Sequence, residues 1–159
     1  MATSRYENQF LILMKDSLIA NYCCDQFLKN SNKQIELAGK IIRRISTIRY
    51  MSLSEAETYI DYKTGRFKPG EYMTYCVDEE LQVLFKELEA VTTEVNKYPW
   101  KTKEAAITNA AEKQKKVKNM LLLIKEEVGA LGAKEVLNKI MNEAKVQTGI
   151  KWDPYILGL

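Results

Sequence analysis

Between Ile107 and Leu131 the side chains Ile107, Ala110, Gln114, Val117, Leu121, Ile124, Val128 and Leu131 follow one another at steps of three and four, with Gln114 the one polar member. Spacing that averages 3.5 residues gathers them on one side of an α-helix. A strand, whose side chains alternate faces, cannot do this. The pattern lasts for three to four heptads, which is compatible with a bundle or with pairing to another chain.

The rest of the chain repeats the theme. Leu81, Leu84, Leu88, Val91 and Val95 keep heptad spacing, behind Asp78 as a helix N-cap with Glu79 and Glu80 in the favourable first turn. Residues 4–29 predict a long helix that Ser4 could cap, with Phe10, Leu13, Ser17, Ala20, Cys24 and Phe27 along one stripe. Leu11, Ile12, Met14, Leu18, Ile19 and Tyr22 widen that stripe almost all the way round, so this helix is central or has a partner outside the chain. Ser31 to Gln34 and Ser52 to Glu55 both match the capping-box spacing. They predict helix starts near 31 and over 53–61. In the helix after Ser31, Ile35, Ala38, Ile41, Ile42, Ile45 and Ile48 form the apolar face, opposite Lys40, Arg43 and Arg44. Gly129 and Gly132 interrupt the long seam, and a last helix is expected over about 133–147, stopped by Gly149.

Only one stretch breaks the helical rhythm. Residues 61–76, DYKTGRFKPGEYMTYC, carry Thr-Gly and Pro-Gly turn signals. The expected fold is therefore all-α: a single-domain helical bundle of five to six helices over 1–149, with an irregular or small-hairpin insertion around 61–76. Residues 150–159 form an apolar C-terminal tail beyond it. A length of 159 residues suits one domain of the usual ~100–200. It also suffices for a core that needs no disulfide or metal.

The chain contains no histidine. Catalytic triads built on His, His general bases and His metal ligands are thereby excluded together. The three cysteines, Cys23, Cys24 and Cys76, include an adjacent pair and no C-x-x-C, so they read as small core residues. No two carboxylates stand three apart as in Glu-x-x-Glu magnesium sites. Glycine loops for phosphate and the G-x-S-x-G elbow are also missing. No catalytic residue, metal or cofactor is expected. No apolar run reaches the ~18–20 residues of a membrane span. The start lacks the basic-then-apolar layout of a secretory signal, so a cytoplasmic or intravirion setting is expected.

What the sequence does carry is surface. Its net charge of +3 conceals alternating blocks: +4 over 33–49, −5 over 78–96 and +5 over 97–118. The basic blocks either face the acidic helix or meet a phosphate backbone. Lys40, Arg43, Arg44, Lys113 and Lys116, with Arg66, Lys68 and Trp100 from two aromatic–basic stretches, are the candidates for nucleic-acid contact. Trp152, Tyr155, Ile156, Leu157 and Leu159 make the tail apolar where a tail is normally polar, and are the candidate protein interface. The expected function is a non-enzymatic helical protein-interaction subunit of a larger assembly, self-associating or meeting a protein partner. The alternative is a nucleic-acid-backbone-binding helical subunit of a nucleoprotein complex.

Overall fold

The computed structural model of the chain describes residues 3–67 and 77–151. Among them the chain is predominantly helical, with four α-helices: α1 (Glu7–Arg49), α2 (Leu53–Glu57), α3 (Glu79–Asn96) and α4 (Lys103–Thr148). Two short strands, β1 (Ile60–Asp61) and β2 (Arg66–Phe67), pair antiparallel with Ile60 opposite Phe67 and Asp61 opposite Arg66. The chain divides into two compact units: Met1–Asp25 with Trp100–Leu159, and Gln26–Pro99. α1 contributes its first part to one and its second part to the other.

The helix start expected near Ser31 is absent, because α1 runs unbroken through it. Ser31 and Gln34 are both buried. Gln34 does not reach back to cap a helix. Its Nε2 donates to the Tyr62 carbonyl at 2.7 Å and to Thr92 Oγ1 at 3.1 Å. The Ser-x-x-Gln spacing thus marks a buried polar crossing, where a side-chain amide is committed to tertiary partners. The other caps form as the sequence suggests. The Ser52 hydroxyl accepts from the Glu55 N–H and the Asp78 carboxylate from the Leu81 N–H. At the chain start the Tyr6 N–H donates to Ser4 Oγ, while the Ser4 N–H donates to Glu7 Oε1.

In the first unit Phe10, Met14 and Leu18 of α1 pack with Val117 and Ile124 of α4, and with Val136, Ile140 and Ala144 beyond its kink. That kink lies at Gly129, whose φ of 79° and ψ of 174° leave the helical region. Leu121 and Lys125 before it line one small depression with Ala133, Lys134 and Leu137 after it. In a straight helix Leu121 and Leu137 would be about 24 Å apart at 1.5 Å per residue, so the two parts of α4 fold toward each other. Side-chain pairs set the directions. Arg5 with Glu127, and Asn21 with Gln114, place α1 antiparallel to the first part of α4. Glu7 with Lys139, and Lys15 with Gln147, share a constant offset of 132 residues and make it parallel to the second. Gln114, the polar position of the seam, donates to Asn21 Oδ1 at 3.0 Å, so its amide has a partner.

The seam holds at its centre and fails at its ends. Val117 and Ile124 are fully buried, whereas Leu131 is 82% exposed. The non-helical residue at Gly129 resets the helical phase two positions earlier, and the inward face resumes at Ala133 and Val136. Ile107 is exposed as well, its neighbour Ala106 being buried instead.

The second unit has its own core of Leu37, Ile41, Ile45, Ala56, Leu81, Leu84, Phe85 and Leu88. Ile35, expected inside, is 52% exposed, and Leu37 takes the buried position. The hairpin lies against this core. The Phe67 and Phe85 rings are 4.8 Å apart, and buried Gly65, at φ +70°, brings its backbone close to Glu89 and Thr92 of α3. A side chain at Gly65 would meet the Glu89 Cα at 3.4 Å. Asp61 closes the turn, accepting from the Lys63 and Thr64 N–H groups.

Candidate functional site

The expected sites fall into three groups. Trp152, Tyr155, Ile156, Leu157 and Leu159, the candidate protein interface, lie outside the described residues, as does Lys68. The cysteine pair behaves as core: Cys24 is buried, Cys23 half-buried, and burial pushes both thiols up. Cys76 also lies outside the described residues.

The basic residues of α1 do come together. Lys40, Arg43 and Arg44 line one open depression with Thr47 and Glu80. Helical spacing accounts for this, since positions 40, 43, 44 and 47 share a face. The depression is not a bare cationic surface. Arg44 Nη2 is 2.6 Å from Asp78 Oδ1, and its Nε is 3.2 Å from Glu80 Oε2. The Arg44 hydrogen bond holds the Asp78 carboxyl below the usual carboxylate range, assisted by the Leu81 N–H. Lys40 reaches Glu36 one turn back at 3.3 Å. At Arg44, then, the counterion is the start of the acidic helix. Asp78 caps α3 and neutralises α1 with one carboxylate.

α4 differs. Lys115, Lys116 and Lys118 are exposed and Lys113 half-exposed, and none of the ion pairs among the described residues involves them. Arg66 is exposed on β2, and Trp100 is half-buried just before Thr102, whose hydroxyl caps α4. Among the described residues no group of three or more His, Cys, Asp or Glu could hold a metal ion. No described helix is long and apolar enough to cross a membrane.

The structure adds an apolar site on α1. Ile12 and Ile19, 56% and 46% exposed, lie on the side away from Phe10 and Met14, and Tyr22, 50% exposed, lies at the edge of that side, one turn on from Leu18. Spacings of seven and three residues make them one stripe. Their signal was present in the sequence as apolar residues in excess of one face. Neither a family model, nor a curated protein, nor a solved structure matches this chain.

Proposed function

We propose that the protein is a non-enzymatic helical-bundle subunit of a larger assembly, working in the cytoplasm or inside a virion and binding a protein partner through apolar surface. The observation that carries this reading is the exposed stripe of Ile12 and Ile19, with Tyr22 at its edge, on a helix whose opposite face already fills a core. One packed stripe suffices to hold a helix in a fold, and a second one left open is the ordinary signature of an interface. The apolar segment from Trp152 to Leu159 adds a second adhesive element. Light scattering during gel filtration, on wild type and on Ile12→Asp with Ile19→Asp, tests the reading. The expected result is assembly, or capture of a natural partner, by wild type and its loss in the variant at unchanged helicity. A monomer that captures no partner in either form would overturn it.

A second reading, binding to a nucleic-acid backbone, is favoured by the lysines of α4. Four positive charges within six residues repel one another, and a phosphate chain would supply the missing counterions. Arg44 supports this reading least, since Asp78 and Glu80 already neutralise it.

A further inference from the structure

Before its kink, α4 carries an exposed row of its own. Leu122 and Leu123 are 59% and 43% exposed. Lys118, Leu122 and Glu126 stand at i, i+4 and i+8, one row on the helix surface, and both charged ends are exposed. The row therefore reads basic, apolar, acidic. Lys118 and Glu126 are eight positions apart in the sequence, beyond the three- and four-residue spacings at which helix side chains pair. Neither belongs to an ion pair among the described residues. The adjacent carboxylate differs. Glu127 is held by Arg5 Nε at 3.1 Å, while Glu126 lines the same open depression, with Tyr6 and Leu123, without an ion pair of its own.

Reversed end for end, this order is its own complement. A two-fold interface requires that residue i meet j while j meets i. Two copies of α4 crossing antiparallel, with the axis at the level of Leu122, set Lys118 of each against Glu126 of the other. The leucines lie between the two charge pairs. A crossing angle of about −50°, the commonest in helix packing, lays the i, i+4 rows of both helices along one line. A parallel crossing would instead oppose like charges.

We infer that the first part of α4 pairs with a second copy of this chain, Leu122 and Leu123 meeting their counterparts and Lys118 and Glu126 exchanged across a two-fold axis. The row favours a second copy over a nucleic acid, because a phosphate backbone would neutralise Lys118 but repel Glu126 and leave the leucines uncovered. The contact is separate from the α1 stripe. It rests on the subunit reading only for its role, which is to join subunits side by side. Two leucines from each copy fall well short of the ~1,200 Å² that lasting interfaces bury. The pair thus forms at high concentration, as between subunits already held in one assembly, and comes apart at gel-filtration dilution.

Sedimentation equilibrium at up to about 1 mM chain tests it, in an Ile12→Asp, Ile19→Asp background that silences the α1 stripe. A monomer–dimer equilibrium is expected. Lys118→Glu alone and Glu126→Lys alone should each weaken it about tenfold or more, by setting like charges in opposition. Mixing these two variants in equal amounts should restore it, since each supplies the charge the other lacks. Leu122→Asp should abolish it with no such rescue. A chain monomeric throughout, a dimer indifferent to both reversals, or variants that fail to recover on mixing would overturn the proposal. So would a Glu126→Lys chain that stays monomeric and retains nucleic acid more tightly than its parent, which would give the lysines to a phosphate backbone. If circular dichroism shows that a reversal costs the fold, Leu122→Cys in the otherwise unchanged chain decides. Its oxidation at high concentration should join the two new thiols across the axis, as mapped by peptide mass, and their failure to join would overturn the pairing. Loss of the partner reading would appear differently, as no assembly and no captured partner at gel-filtration dilution with or without the α1 substitutions.

Discussion

At Asp78 one side chain serves two elements, and acid separates the roles. Its carboxylate caps α3 through the Leu81 N–H and binds Arg44 of α1. The carboxyl is depressed in the folded state, chiefly by Arg44. Its stabilising effect is therefore complete above the unfolded Asp value of about 3.9, and is lost as pH falls through the lower folded value. Asp78→Asn keeps an N-cap side chain but discards the charge. Its denaturation midpoint should lie below wild type at neutral pH, with the gap closing in acid. Asp78→Ala also loses the cap, at a cost of about 1 kcal/mol that persists in acid. Gly129 and Gly39 make a second residue-scale contrast. At Gly129 the surroundings are open, but φ 79° with ψ 174° is a region that side chains avoid, so Gly129→Ala should cost about 1–3 kcal/mol. Gly39 is regular helix, and a Cβ there would meet Arg43 Nη1 at an ordinary 3.5 Å. Gly39→Ala should raise stability by up to about 1 kcal/mol. Urea titrations of the two variants read both signs.

At the scale of elements, α4 shows how one backbone residue overrides a side-chain pattern. The heptad spacing continues through Val128 to Leu131, yet Ile124 is fully buried and Leu131 open to solvent. Ile124→Ala should cost about 2–5 kcal/mol as a core truncation. Leu131→Ala should stay within about 0.5 kcal/mol, the range of surface changes. Leu121, half-buried beside the kink, should fall between them. Equal costs at 124 and 131 in chemical denaturation would mean that the seam runs straight. The same element carries Gln114, bound to Asn21 of α1. A polar pair at a seam position fixes the register of two long helices that apolar contacts alone would let slide.

At the scale of the molecule, charge is distributed unevenly between neutralised and open faces. The basic block of α1 meets acidic residues at Arg44, whereas the lysine run of α4 takes part in none of the ion pairs among the described residues. If a nucleic-acid backbone is bound, Lys115→Ala with Lys118→Ala should weaken every sequence nearly equally and reduce the salt slope by about two. Arg44→Ala should instead lower stability. Gel shifts across a salt series check the first, and thermal melts the second. Association through Ile12 and Ile19 should survive the same rise in salt, because apolar burial is not screened.

The periodicities, the Ser52 and Asp78 caps and the turn around Gly65 were legible in the sequence, because each depends on residues within a few positions of one another. So was the excess of apolar side chains on the first helix, which no single packed face could absorb. The failures share a cause. Ser31 and Gln34 have the local spacing of a helix start, but the Gln34 amide finds Tyr62 and Thr92 far along the chain, and α1 continues. Leu131 has the spacing of a core residue, but Gly129 turns the helix before it arrives. Which of the two basic blocks would meet the acidic helix was equally beyond local reading. Sequence by itself determined which segments are helical and how much apolar surface they carry. Only the tertiary structure decided where a helix continues, which face is covered and which charge is paired, because those depend on groups brought together by folding rather than by spacing.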